Sequence, residues 1–280
     1  MKGLLKTELY KAVFNPMFFA STATATAFAI GSFIERYKYE SAYFAISNIE
    51  IKNPCYEIDS LFSQWIAIEG GSSYYHLFFM LLPLFASIIY SWSYPVERKS
   101  GVYRLMAIKG KRGEYLSAKY LAVFISAALS IMLALIVNIC LCATYFPIIS
   151  PDVFYDSYYG IGVNSAFRDI FYTQPAIHMI IYSVLISLYS GLFAVMGMTF
   201  SYVLKNKYVA VFLPFFVCLL LSFINAQLKL RVQLDPTSFL HPGATLSLGS
   251  GAAVVLGELI IGLLITIVIT IKKGSQADVF

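Results

Sequence analysis

Six apolar stretches divide the chain, each separated from the next by a polar or charged segment: residues 17–34, 75–94, 116–146, 177–204, 209–228 and 252–271. An apolar helix of about 20 residues crosses the roughly 30 Å of hydrocarbon in a bilayer, so each stretch predicts a membrane-spanning helix. The third is long enough to tilt or to project past the membrane. Pro83 and Pro214 fall inside the second and fifth. Lys205-Asn206-Lys207 is a short link that makes the fourth and fifth an antiparallel pair.

Composition supports this reading. The chain of 280 residues is 59% hydrophobic and 12% charged, with 16% aromatics and a mean hydropathy of +0.73. A soluble domain carries about a quarter charged residues, so polar surface here is too scarce to cover a water-soluble globule. The net charge of +5 would suggest nucleic acid in a soluble protein. In a membrane protein Lys and Arg collect on the cytoplasmic side, and no nucleic-acid partner is expected.

The basic residues also set the orientation. Segments 1–16, 95–119, 205–207 and 272–280 hold 14 of the 20 Lys and Arg. Segments 35–74, 144–176 and 229–251 hold the other 6, with 10 of the 15 acids. Both termini are therefore expected in the cytoplasm of a multi-pass protein of the cell membrane. Lys2, Lys6 and Lys11 before an apolar run resemble a signal peptide. Ala23, Ala27 and Gly31, at small-xxx-small spacing, predict instead a retained helix that packs closely. Cys55, Cys140, Cys142 and Cys218 lack zinc-type spacing and read as small hydrophobic residues.

Ahead of the first span, "MKGLLKTELYKAVFNP" puts Leu5, Leu9, Ala12 and Val13 on one helical face, with Glu8 and Lys11 on the other. Residues 1–16 thus predict a short amphipathic helix on the inner membrane surface, ended by Asn15-Pro16. The densest charge lies between spans two and three. There Val102, Leu105 and Met106 share a face, Glu97 and Arg104 point away, and "GKRG" breaks the helix before Glu114 opens the next. The region 95–115 reads either as a compact cytoplasmic knob or as a solvated loop obeying the positive-inside rule.

The lead-in "LLKTELYKAVFNP", six spans with both ends inside, and "SGVYRLMAIKGKRGEYLSAKYL" after the second span together resemble the ABC-2 type ABC transporter permeases. The resemblance implies an all-α integral membrane protein in one domain, residues 1–280. It has an N-terminal interfacial helix, a cytoplasmic coupling helix between spans two and three, and a short re-entrant outer segment between spans five and six, residues 229–251. It assigns partner contact to Glu97, Val102, Arg104, Leu105, Met106, Lys109, Lys111 and Arg112. It also implies two copies of an ABC ATPase subunit and a second permease subunit, identical or homologous. The first outer loop, 35–74, is longer than in compact members of the family. No G-x-x-x-x-G-K-[ST] loop occurs here, so the chain is not expected to be an enzyme, and ATP and Mg belong on the partner ATPase.

Candidate chemistry within the membrane is sparse. Glu258 is the residue most clearly inside a span, where a carboxylate costs roughly 2.5–3.5 kcal/mol on insertion scales. Gly251, Glu258 and Gly262 share a narrow face. Asn138, His178, Asn225 and Glu258 all fall in the outer halves of their spans, as candidates for an outward-opening pathway or as polar residues tolerated near the interface. Aromatic residues and acids in 35–69 and 152–172 read as an interfacial belt or as a lid over an amphipathic substrate. No metal site is expected. The expected function is the membrane subunit of an ATP-driven transporter that exports or clears a peptide, lipid or drug-like molecule. The alternatives are an ion-coupled secondary transporter using Glu258, or a non-transporting immunity or assembly protein.

Overall fold

A computed structural model describes residues 2–50, 59–68, 71–102, 112–151, 161, 165–204, 206–228, 234–240 and 251–276. All regular structure among these residues is helical. The helices are α1 (Lys2–Val13), α2 (Pro16–Glu50), α3 (Leu61–Gln64), α4 (Ser73–Tyr90), α5 (Ser93–Lys99) and α6 (Arg112–Tyr145). They continue as α7 (Arg168–Thr173), α8 (Pro175–Leu204), α9 (Lys207–Leu228), α10 (Pro236–Phe239) and α11 (Ala252–Gln276). Six of them, α2, α4 with α5, α6, α8, α9 and α11, are long and apolar enough to cross a membrane. The chain therefore has the build of a multi-pass membrane protein.

Local chemistry sets the helix starts. Asn15 caps α2 by accepting a hydrogen bond from Met17 N at 3.0 Å, and Pro16 occupies the first helical position, where its missing N–H costs nothing. Ser72 caps α4 through Tyr75 N at 3.0 Å. Asp235 caps α10 by accepting from Thr237 N at 3.1 Å. The first span runs on beyond Ile34. No Gly or Pro follows before Pro54, and Arg36 pairs with Glu40 one turn later at 2.9 Å. Much of the expected outer loop 35–74 is thus helix, through Glu50.

α4 and α8 form the centre, and α6 packs against both. Hydroxyl groups tie the apolar helices together, as suits an environment where burial alone favours no particular pairing. Ser21 Oγ donates to Phe85 O at 2.7 Å, joining α2 to α4. Ser91 Oγ donates to Ala194 O at 2.8 Å, joining α4 to α8. Tyr120 and Thr266 share a hydrogen bond of 2.9 Å between α6 and α11. At the α8–α9 crossing, Gly197 meets the other backbone so closely that a Cβ there would overlap the Ala210 carbonyl oxygen.

The packing face of α2 is not the one expected. Ala25 and Ala29 are buried, whereas Ala23 and Ala27 face outward. Gly31 does pack closely: a Cβ would stand 2.7 Å from the Tyr74 ring. Gly262 behaves likewise against Leu192, at 2.8 Å, while Gly251 has open space around it.

Candidate functional site

Where α1, the end of α4, α5 and the start of α6 converge, four charged side chains meet. Lys119, on α6, has no exposed surface, and Glu8, on α1, is 2% exposed. The Lys119 ammonium lies 2.8 Å from Glu8 Oε2 and 2.8 Å from Glu97 Oε1, and donates to Tyr90 OH at 3.1 Å. An ammonium has three N–H donors, and all three are thereby directed to acceptors. It also lies 4.5 Å from the centre of the Tyr90 ring, a cation–π distance. Lys11 bonds Glu8 Oε1 at 2.8 Å and stands 3.7 Å from Glu97 Oε1. Tyr90 OH donates to Glu8 Oε2 at 3.1 Å, and Tyr115 OH donates to Glu97 Oε2.

This cluster corrects two expectations. α1 does turn Ala12, Leu9 and Val13 toward the core. However, Glu8 is buried too, because Lys119 and Tyr90 wait beneath it, so the polar face of α1 is also a protein contact. Glu97, expected to point toward a partner, turns inward to Lys119 and Tyr115. Two carboxylates and two ammoniums make the group neutral, which is how buried charge is tolerated. Glu97 and Lys119 stand near the ends of helices long and apolar enough to cross a membrane. The missed signal was Lys119 itself, a cation between Ala118 and Tyr120 in the early turns of α6, with Glu8 and Lys11 at i,i+3 spacing as its counterpart.

Electrostatics gives the cluster a pH window. Burial alone would push the Glu8 carboxyl up, but the Lys119 charge, with the hydrogen bonds from Lys11 and Lys119, holds it below its ordinary 4.5. Burial would lower Lys11, but Glu8 and Glu97 raise it above its ordinary 10.5. A lowered carboxyl adds stability that is complete above 4.5 and fades as pH falls below it. A raised amine adds stability that is complete below 10.5 and fades as pH climbs through its folded value. A spin label on Tyr10→Cys, at an exposed position of α1, should therefore keep one mobility between these limits and loosen outside them. A transition near neutral pH would contradict this assignment.

At the opposite end of the bundle, residues 60–68 form a buried wedge. Ser60 and Ser63 make a capping box for the single turn of α3. Trp65, Ile66, Ala67 and Ile68 have no exposed surface. Phe62 and Trp65, expected in an interfacial belt or lid, are core residues here. Asn138 holds the wedge: its Oδ1 accepts from Ile66 N at 2.9 Å and its Nδ2 donates to Ala29 O at 2.8 Å. Leu61 N donates to Pro147 O at 2.9 Å. Asn138 is thus a clasp between α2, α6 and the wedge.

The other pathway candidates have different surroundings. His178 is fully buried in the first turns of α8, between Phe171 and Tyr182, with ring centres 5.2 and 4.6 Å away. Among the described residues neither of its nitrogens has a hydrogen-bond partner. Asn225 is buried on α9. Glu258, on α11, keeps one buried oxygen, Oε2, without a hydrogen-bond partner among the described residues, and lies within electrostatic range of the buried Asp235. Within the expected re-entrant segment 229–251, the described residues 234–240 form a buried turn of helix. Its Phe239 packs on Tyr189 with ring centres 5.4 Å apart.

Of the expected partner-contact residues, Arg104, Leu105, Met106, Lys109 and Lys111 lie outside the described residues, as does the side chain of Arg112. Val102 is half-buried just beyond Gly101, whose φ of +82° favours glycine at the end of α5. Among the described residues no group of three or more His, Cys, Asp and Glu could hold a metal. Comparison with protein-family models, curated proteins and solved structures finds no match.

Proposed function

We propose that the chain is the membrane-spanning subunit of an ATP-driven ABC transporter, exporting or clearing an amphipathic peptide, lipid or drug-like molecule. Both termini and the connection after α5 face the cytoplasm, α1 lies along the inner membrane surface, and residues 95–115 form the coupling region. ATP and Mg are bound by a separate ATPase subunit in two copies, and a second membrane subunit, identical or homologous, completes the assembly. The observation that carries this reading is the bracing of the two helix ends that flank the basic connection between α5 and α6. Glu97 before it and Lys119 after it are locked together and to α1. A partner docking on that connection would act on two helix ends that are joined to each other and to α1.

The test is co-reconstitution with an ABC ATPase subunit, sought first in the neighbouring reading frame. Changing Val102, Leu105 and Met106 to Ser should leave insertion intact, release the ATPase and abolish ATP-dependent transport. A triple variant that keeps a fully coupled ATPase would favour a merely solvated loop. Glu258 Oε2, without a hydrogen-bond partner among the described residues, favours one second reading, proton-coupled transport. Under the leading reading Glu258→Gln keeps substantial transport in the same vesicles. Transport that ignores ATP, needs a proton gradient and vanishes in Glu258→Gln would decide for the second.

A further inference from the structure

We propose that Glu8, Glu97 and Lys119 are positioning residues of a charge joint that makes α1, the end of α5 and the start of α6 move as one body when a partner loads the α5–α6 connection. The inference rests on the docking reading above and adds to it the route by which load reaches the bundle.

Three observations carry it. First, Glu97 uses both oxygens: Oε1 faces Lys119 at 2.8 Å and Lys11 at 3.7 Å, while Oε2 accepts from Tyr115. Displacing the end of α5 therefore pulls on α6 at two residues and on α1 at one. Second, Lys119 cannot follow α5 without also loading Glu8, because the same ammonium serves both carboxylates. Third, the cluster is not what stability alone would select. Packed hydrophobic residues often do as well as a buried ion pair, whereas charged hydrogen bonds fix distance and direction. Charges with defined geometry at the meeting of separate elements suit a joint that must transmit displacement without slipping.

The experiment reads α1 through a thiol. Leu9 is packed against the core beneath α1. Leu9→Cys is introduced in a chain whose native cysteines are replaced by alanine, and its reaction with N-ethylmaleimide is timed in vesicles. In the chain alone, Glu97→Gln should speed labelling at least tenfold and Tyr115→Phe about threefold, with no change in the neighbouring control Arg98→Gln. Unchanged labelling in Glu97→Gln overturns the joint. With the ATPase subunit bound, adding ATP should change the labelling rate in the parent chain. In Glu97→Gln the ATPase should still bind, but the ATP response should disappear. An ATP response that survives in Glu97→Gln also overturns the joint. A parent chain that binds no ATPase overturns the docking reading and, with it, the role in transmission; faster labelling in Glu97→Gln would then leave the three residues as a static clamp on α1.

Discussion

Lys119→Met should lower the thermal stability of the purified protein more than any other single substitution in the charge cluster. The side chains are similar in length, so little cavity forms. What remains is two carboxylates, Glu8 at 2% exposure and Glu97, facing a site that has lost its cation. Lys11 can neutralise one of them from the edge of the cluster, but its side chain is 44% exposed and it stands 3.7 Å from Glu97. Removing one partner from a buried ion pair costs about 3–5 kcal/mol, because the other charge is left uncompensated. The check is a double-mutant cycle with Glu8→Gln, followed by thermal unfolding in detergent. Glu8→Gln should restore part of the loss, since it removes the stranded carboxylate. Additive losses would mean that the two residues do not interact.

How much of this was legible beforehand depends on the kind of signal. The spans were, because a membrane helix is written as an unbroken apolar run. The ends of α8, α9 and α11 fall within a few residues of the expected stretches. The continuation of α2 past Ile34 was not, since Arg36, Lys38 and Glu40 read as loop once hydropathy is the criterion. The lack of Gly or Pro before Pro54 and the Arg36–Glu40 spacing are what mark the helix as continuing. The charge cluster was half-legible. Glu8, Lys11 and Glu97 stood out singly, but their partner Lys119 lies more than a hundred residues from Glu8, and no local periodicity encodes that pairing. The packing face of α2 was misread because Ala23 and Ala27 have the right spacing, but so do Ala25 and Ala29. Spacing alone cannot choose between two alanine stripes on one helix.

The second large effect concerns Asn138, read from the sequence as a pathway candidate and placed by the structure as a clasp. Asn138→Leu keeps the branching at Cγ and suits an apolar helix, so on propensity alone it should be harmless. It removes the acceptor for Ile66 N, a backbone donor in a segment with no exposed surface. An orphaned buried N–H costs about 1–3 kcal/mol. The loss should fall chiefly on the wedge: the α2–α6 pair loses the bond from Asn138 Nδ2 to Ala29 O but keeps the one between Thr22 and Ser130. Leu61 N would remain bonded to Pro147 O, and the Ser60–Ser63 capping box would persist, so one end of the wedge stays attached. The other end, Trp65 to Ile68, should loosen. Hydrogen exchange at Ile66 should accelerate by one to two orders of magnitude in Asn138→Leu, as that cost implies. Exchange in α4 and α8 should stay unchanged. Slow exchange at Ile66 in this variant would show that the wedge is held by packing alone. Asn138 would then be free to serve the outer pathway for which its position first suggested it.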